Sequence, residues 1–243
     1  MIPEWMTRSE LLMGEAKIKK LMAANVIVVG LGGVGTIAAE MIARAGVGQM
    51  TIVDADHIEA SNRNRQIPAL SSTDGLLKAE TLGRRLLDIN PELKLTILNE
   101  YLRDKRTFEV LDKGGFDFAL DCIDTLSPKV YYIKACLERR IPIISSMGAG
   151  GKIDPTQVRI CDISETYNDL LARYVRKYLH RKFSIHSGLK VVFSPEQADK
   201  SRIVLNSDTT RKKSTIGTVS YMPAVFGCAC ASAAIRHLAG DAY

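Results

Sequence analysis

The sequence has few cysteines, and no two of them form a C-x-x-C pair. The five stand at Cys122, Cys136, Cys161, Cys228 and Cys230. A structural zinc knuckle usually needs two such pairs, so this class of metal site is not expected. The N-terminal residues also lack the apolar core of a secretory signal, and the number of cysteines is odd. Both features predict reduced thiols and a cytoplasmic location.

The chain also lacks internal repeats and has ordinary proportions of hydrophobic (46%) and charged (25%) residues. A length of 243 residues suits a single α/β domain spanning 1–243. Up to residue 147, predicted helices, the first over residues 8–24, alternate with predicted strands at 26–29, 50–54, 93–98, 116–121 and 141–146. This alternation predicts a Rossmann-like, doubly wound and mostly parallel sheet with helices on both faces.

A glycine-rich turn follows the first strand and opens the next helix. Its glycines are Gly30, Gly32, Gly33 and Gly35, in the spacing G-x-G-x-x-G. We expect Gly30 to allow a tight turn, Gly32 to let a phosphate approach the backbone, and Gly35 to let helix and strand pack closely. Asp54 ends the second strand, where a ribose-binding carboxylate is expected. The turn therefore predicts a nucleotide site for either a dinucleotide or ATP.

Further polar residues favour ATP over a dinucleotide. Asn62, Arg65 and Lys78 follow the second strand and can return to its carboxyl end. Two permanent positive charges would offset the charge on a pentavalent α-phosphate and on leaving pyrophosphate. Asp124, just beyond the fourth strand, is suited to hold Mg²⁺ against the phosphates. A hydride-transfer enzyme does not require these two cations and a magnesium-binding carboxylate.

The net charge of +6 comes from one part of the chain. Residues 152–215 carry 13 Lys and Arg against 7 Asp and Glu, and the remaining residues balance at 20 against 20. The excess predicts either an RNA-facing surface or a solvated basic face. The candidate RNA-binding residues are Arg173, Arg176, Lys177, Arg181, Lys182, Arg211, Lys212 and Lys213. The last three fall in a polar stretch, 195–215, that we expect to be a mobile loop.

The C-terminal segment has no charged residue from Ser214 to Ile235, a run of 22 residues. This length could span a bilayer, but Gly217, Pro223 and Gly227 dilute its apolar character. We expect a buried helix over about 216–238, near a subunit interface of a homodimer, and do not favour membrane contact.

The order of these motifs resembles the adenylating domain of the E1-like ThiF/MoeB superfamily. The resemblance covers residues 24–147 and rests on Gly30-x-Gly32-Gly33-x-Gly35, Asp54-x-Asp56, Asn62-x-x-Arg65-Gln66, Lys78 and Asp121-x-x-Asp124. It implies ATP on the glycine turn, Asp54 on the ribose and Mg²⁺ on Asp124. The implied nucleotide-binding set also includes Asp56, Asn62, Arg65, Gln66, Lys78 and Asp121. Of these, the resemblance makes Arg65, Lys78 and Asp124 catalytic.

Other stretches are similar to the tRNA threonylcarbamoyladenosine dehydratase group of this superfamily. They are residues 7–14, 62–67, 148–156 and 215–219. That similarity implies adenylation of the threonylcarbamoyl carboxylate at adenosine 37 of tRNA, followed by ring closure and net loss of water. Because the second nucleophile is intramolecular, no catalytic cysteine is required. The resemblance also suggests a monovalent cation, Na⁺ or K⁺, near loop 148–156, and a sulphur-acceptor protein as a further partner.

Three alternatives stay open at this level. The chain could activate a ubiquitin-like sulphur carrier, which would need a transferable cysteine. It could be a nicotinamide-dependent Rossmann oxidoreductase, or a non-catalytic RNA-binding module. Arg8 is either a surface residue or a group that reaches the ATP of a partner subunit.

Overall fold

The structure, a computed structural model, describes residues 1–198, 203–205 and 214–242. Its main sheet consists of β1 (Asn25–Val29), β2 (Gln49–Val53), β3 (Lys94–Leu98), β4 (Phe118–Asp121), β5 (Ile143–Ser146), β6 (Arg159–Asp162) and β7 (Lys190–Phe193). The strand order is β3-β2-β1-β4-β5-β7-β6. All neighbouring pairs are parallel except β6 with β7, which is antiparallel. The predicted mostly parallel α/β sheet is confirmed.

Eight α-helices accompany the sheet within the part of the chain just given. They are α1 (Thr7–Met13), α2 (Glu15–Ala23), α3 (Gly35–Arg44), α4 (Lys78–Ile89), α5 (Asp104–Gly114), α6 (Leu126–Glu138), α7 (Leu170–Phe183) and α8 (Tyr221–Ala239).

The helices lie on both faces of the sheet because β1 is apolar on both sides. Val26 and Val28 join a core that includes buried residues of α3, α4 and α8. Ile27 and Val29 point the other way, into a core with buried residues of α6 and α7. A strand whose successive side chains face two apolar layers has to be covered twice, and this makes the fold doubly wound.

The structure differs from the sequence expectation at both ends of the chain. A single helix was expected over 8–24, but Gly14 adopts φ of 84° and separates α1 from α2. Within the expected loop 195–215, a short strand β8 (Ile203–Leu205) pairs antiparallel with β9 (Ser214–Ile216). The C-terminal helix therefore begins only at Tyr221, five residues later than predicted.

α8 packs against α2, α3 and the strands β4, β5 and β7. Its buried side includes Met222, Phe226 and Cys230. By length and composition α8 would be able to cross a membrane, but half of its most apolar window is buried inside the protein. The predicted contribution of this helix to the core is confirmed.

Candidate functional site

The predicted site residues follow the carboxyl ends of β1, β2 and β4. The chain continues from β1 to β2 on one side and from β4 to β5 on the other, so the strand order reverses between β1 and β4. In open α/β sheets such a reversal leaves a crevice beyond the strand ends, and ligands bind there.

The glycine turn lies at this crevice and depends on the absence of side chains. Gly30 has φ of 90° and donates its N–H to the carbonyl of Val53 at 2.9 Å. A Cβ at Gly30 would lie 2.7 Å from the Cys122 carbonyl oxygen, and one at Gly35 would lie 1.8 Å from that of Gly30. At Gly32 a Cβ would meet nothing within 4 Å. The turn is therefore closely packed beneath and open at Gly32, the position predicted to meet a phosphate.

Asp54 fastens the turn to the end of β2. Its Oδ2 accepts the N–H of Leu31 at 2.6 Å, and its Oδ1 accepts the N–H of Asp56 at 2.8 Å. Burial raises the pKa of Asp54, while the charge of Lys78 and the two backbone N–H groups oppose that rise. A carboxylate has about four acceptor sites, so two remain for ribose hydroxyls.

Lys78 is the first residue of α4, and only 8% of its side chain is exposed. Its Nζ lies 3.1 Å from Oδ2 of Asp56, and the hydroxyl of Tyr101 bonds to Oδ1 of the same carboxylate. The buried stem holds the ammonium group at the site edge. Sequence reasoning missed Tyr101 because it lies in a loop after β3, outside every motif.

The loop between β2 and α4 carries Asn62, Arg65 and Gln66. The buried Asn62 accepts the N–H of Glu59 at 3.1 Å and so shapes the loop. The backbone of Arg65 lies over the glycine turn, since its carbonyl oxygen would lie 3.1 Å from a Cβ at Gly33. Its guanidinium group donates to the Ser61 carbonyl at 3.0 Å and to Oδ1 of Asn64 at 2.7 Å. The Oε1 of Gln66 is buried and has no hydrogen-bond partner among the residues described. That acceptor suits a ligand with hydroxyl or amino groups.

Asp121 forms an ion pair in the core, whereas the sequence predicted that it would contact the nucleotide. It is fully buried, with Oδ2 at 2.8 Å from Nζ of Lys129 and at 2.6 Å from the hydroxyl of Ser145. Lys129 also donates to the carbonyl of Ile123 at 2.8 Å. The expected direct contact of Asp121 with nucleotide is therefore not what the structure shows. This pair instead holds the loop that leads to the exposed Asp124, which lies on the same sheet edge.

The candidate RNA-binding residues divide into two groups on α7. Arg173, Lys177, Arg181 and Lys182 are exposed. Arg176 is half-buried and donates to the Thr166 carbonyl at 2.7 Å, so its guanidinium group already has a partner within the protein, and its contact with RNA stays a prediction. Arg211, Lys212 and Lys213 lie outside the described residues.

Loop 148–156 contains a positive charge of its own. Nζ of the buried Lys152 lies 2.5 Å from Oδ2 of Asp169 and 2.9 Å from the carbonyl oxygen of Ser194. Over the described ranges no group of three or more His, Cys, Asp or Glu residues could by itself hold a metal ion.

The arrangement matches known proteins over almost the whole chain. The ThiF family matches residues 6–242. The tRNA threonylcarbamoyladenosine dehydratase of Bacillus subtilis is 42% identical over 206 residues, which cover 85% of this chain and 79% of that protein. The enzyme of the same name from Escherichia coli is 33% identical over 247 residues, covering 95% and 92%.

A solved structure gives the same result for the fold. The tRNA N6-threonylcarbamoyladenosine dehydratase of Escherichia coli in complex with ATP superposes with a TM-score of 0.89 at 32% identity. The match covers 99% of this chain and 97% of that one. On the combined similarity of sequence and fold, the chain belongs to the ThiF family.

Proposed function

We propose that the chain is an ATP-dependent tRNA threonylcarbamoyladenosine dehydratase. One arrangement carries the proposal: beyond β1 and β2 the backbone is open at Gly32, Asp54 binds the glycine turn, Lys78 pairs with Asp56, and the backbone of Arg65 lies over Gly33. A nucleotide triphosphate matches this set, because backbone N–H groups and cations suit its phosphates and a carboxylate suits its ribose. The similarity to dehydratases, including one in complex with ATP, supports the choice of reaction.

In the first step a carboxylate oxygen of the modified adenosine attacks the α-phosphorus of ATP, and pyrophosphate leaves. Arg65 and Lys78 stabilise the negative charge that grows on the phosphate oxygens. Asn62 shapes the loop that presents Arg65. Mg²⁺, held by Asp124 together with phosphate oxygens, would supply further positive charge.

In the second step the carbamoyl group of the same side chain attacks the activated carbonyl carbon, and AMP leaves as the ring closes. The carboxylate oxygen that attacked phosphorus leaves as part of AMP, so the nucleoside has lost the elements of water. Because the nucleophile is already attached, positioning supplies most of what the step needs. Two of the five cysteines are poor candidates for a route through a thioester, since burial raises the pKa of Cys136 to about 12 and that of Cys161 to about 11.

The wider setting is also a proposal. A homodimer is supported by α1, where Leu11 and Leu12 are 82% and 86% exposed. Arg8 is exposed on the same helix, as a residue reaching into a partner subunit would be. A cytoplasmic location, a sulphur-acceptor partner and a monovalent cation near loop 148–156 remain predictions. Lys152 already supplies one positive charge to that loop.

Mass spectrometry of tRNA nucleosides after incubation with protein, ATP and Mg²⁺ tests the reaction. We expect the modified adenosine to lose the mass of one water. Lys78→Ala and Arg65→Ala should abolish this loss while the proteins melt near the wild-type temperature. Lys94→Ala, which removes an exposed lysine from β3, is the matched control and should keep full turnover. Turnover retained in Lys78→Ala would contradict the proposal.

The alternatives give different results in simple assays. A sulphur-carrier activator should adenylate the C-terminal carboxylate of a small carrier protein and leave the tRNA nucleoside unchanged. Stabilisation by NAD and not by ATP with Mg²⁺ would favour an oxidoreductase. Tight RNA binding without any ATP-dependent change would favour a binding module.

A further inference from the structure

Three aromatic rings and a lysine form a surface cluster between α6 and α7, which we call the tyrosine patch. It consists of Tyr131, Tyr178, Phe183 and Lys182. The ring centroid of Tyr131 lies 6.2 Å from that of Tyr178 and 5.6 Å from that of Phe183. Tyr178 and Phe183 are 6.0 Å apart. The rings fix one another, and yet 42% of Tyr131 stays exposed.

Lys182 completes the patch with a positive charge. Its Nζ donates to the hydroxyl oxygens of Tyr131 at 2.9 Å and Tyr178 at 3.0 Å. Lys182 takes part in none of the salt bridges that the described residues form. Among the described residues its charge is therefore not neutralised by a carboxylate within 4 Å, and the exposed Lys177 and Arg181 on the same helix add to it.

The patch also lies near the candidate nucleotide site. α6 begins two residues after Asp124, and Tyr131 is five residues further along. At 1.5 Å per residue, this is about 8 Å from the first turn of α6. Along the helix axis, the patch and the end of α6 next to Asp124 are therefore separated by about one and a half turns.

An exposed, fixed aromatic ring beside exposed cations is suited to single-stranded RNA. Bases of single-stranded loops stack on aromatic side chains while cations bind their phosphates. Bases inside a duplex do not expose their faces in this way. We propose that the tyrosine patch binds the single-stranded tRNA loop that carries the modified adenosine, with a neighbouring base on Tyr131 and a phosphate on Lys182. This inference rests on the proposed function for the identity of the RNA.

Fluorescence anisotropy with two synthetic RNAs tests the patch without ATP. One RNA is a hairpin with an unpaired loop, and the other is a fully paired duplex of the same length and composition. Tyr131→Ala should weaken hairpin binding by roughly five-fold to a hundred-fold, the range for one lost base–aromatic stack, and leave duplex binding unchanged. Tyr131→Phe keeps the ring and should bind as the wild type does. Lys182→Gln should weaken the binding of both RNAs.

Phe108→Ala is the matched control. Phe108 is also an exposed ring, 39% accessible, with the guanidinium group of Arg139 at 4.8 Å from its centroid, but it lies on α5. It should leave the binding of both RNAs unchanged. Equal effects of Tyr131→Ala and Phe108→Ala would overturn the proposal. So would wild-type hairpin binding by Tyr131→Ala, as expected if the patch docks a protein instead.

Kinetics separate this proposal from the proposed function. In the dehydration assay, Tyr131→Ala should raise KM for tRNA while kcat and the ATP-induced rise in melting temperature stay unchanged. If wild-type protein fails to dehydrate tRNA, the proposed function is wrong, but the hairpin assay still decides whether the patch binds unpaired RNA. If turnover is normal and hairpin binding does not depend on Tyr131, only the patch is wrong.

Discussion

Lys129 and Asp121 form an ion pair with no exposed surface beneath the loop that leads to Asp124. Burial raises the pKa of Asp121, and the charge and hydrogen bond of Lys129 oppose that rise. Because the interior stabilises neither charge alone, each depends on the other. The pair also fixes the carbonyl of Ile123, so it connects the core to the candidate magnesium ligand.

Lys129→Met should therefore be one of the most destabilising single changes in the chain. We expect the free energy of unfolding to fall by about 3–5 kcal/mol, because Asp121 would be left buried without its partner. Urea denaturation measures the effect. Lys134→Met is the matched control on the same helix, since Lys134 pairs with Glu138 at the surface and should cost at most about 1 kcal/mol. Similar losses for the two variants would refute this account.

Residue types at strand ends could be predicted from the sequence, but side-chain directions could not. Motif spacing predicts that Asp54, Lys78 and Arg65 meet at one sheet edge. In the structure Asp54 binds the glycine turn, Lys78 pairs with Asp56, and the backbone of Arg65 lies over Gly33. The same spacing could not show that Asp121 meets Lys129 in the core, because that contact depends on the packing of α6 against β4. The hydrogen bond of Arg176 to Thr166 could not be predicted for a similar reason, since Thr166 belongs to a loop without a motif.

The turn between β1 and α3 is the element on which nucleotide binding depends most directly. Gly32→Ala has room for its methyl group in the protein itself, so the free energy of unfolding should change by no more than about 0.5 kcal/mol. The methyl group would occupy the space where a phosphate approaches, and the ATP-induced rise in melting temperature should disappear. Thermal melting with and without ATP and Mg²⁺ measures both effects.

Gly35→Ala provides the contrast within the same turn. Its Cβ would lie 1.8 Å from the Gly30 carbonyl oxygen, which is part of the backbone and cannot rotate away. This variant should lose stability as well as ATP binding. If Gly32→Ala keeps its response to ATP, the phosphate does not approach the turn at that point.

The pairing of α3 with α4 predicts a dependence on acid pH. Burial raises the pKa of Glu40 on α3, but hydrogen bonds from Arg85 on α4 and from Arg44 lower it by more, so the pKa lies below its usual value. A group with a lowered folded-state pKa stabilises the protein above its unfolded pKa of about 4.3 and loses that contribution as the pH falls.

Glu40→Gln should lower the free energy of unfolding at pH 7 by about 1–3 kcal/mol, the range for hydrogen bonds to charged groups. The difference between variant and wild type should be constant above about pH 5 and shrink below about pH 4. Denaturant unfolding across this range measures it. A difference that grows in acid would show that the pKa of Glu40 is raised.

Helices and strands could be predicted where apolar residues recur at a clear spacing. They could not be predicted where one backbone dihedral angle determines whether a helix continues. The strands of the parallel sheet come within about two residues of their expected bounds, because their apolar runs have few alternatives. The break at Gly14 depends on one positive φ that the flanking apolar residues hide. β8 and β9 lie in a polar stretch whose pairing has no signal in hydrophobic spacing.

At the scale of the whole molecule, the positive charge is distributed unevenly. The excess of 6 lies between residues 152 and 215. Within that segment, the exposed cations of α7 lie on the α6–α7 side of the fold, next to the tyrosine patch. β3, by contrast, is at the opposite edge of the sheet from β6 and β7. A polyanion should therefore approach from the α7 side.

The salt dependence of tRNA affinity should accordingly come from the cations of α7 and not from the lysine on β3. The logarithm of the association constant should fall linearly with the logarithm of salt concentration, and the slope should reflect the number of phosphates neutralised. Lys177→Gln and Arg181→Gln should each reduce the steepness of the slope by about 0.7–0.9. Lys94→Gln makes the same change of charge on β3 and should leave the slope as it is, since Lys94 faces solvent at the far edge. Filter binding over a salt series measures all three slopes, and equal reductions would show that tRNA responds to net charge alone.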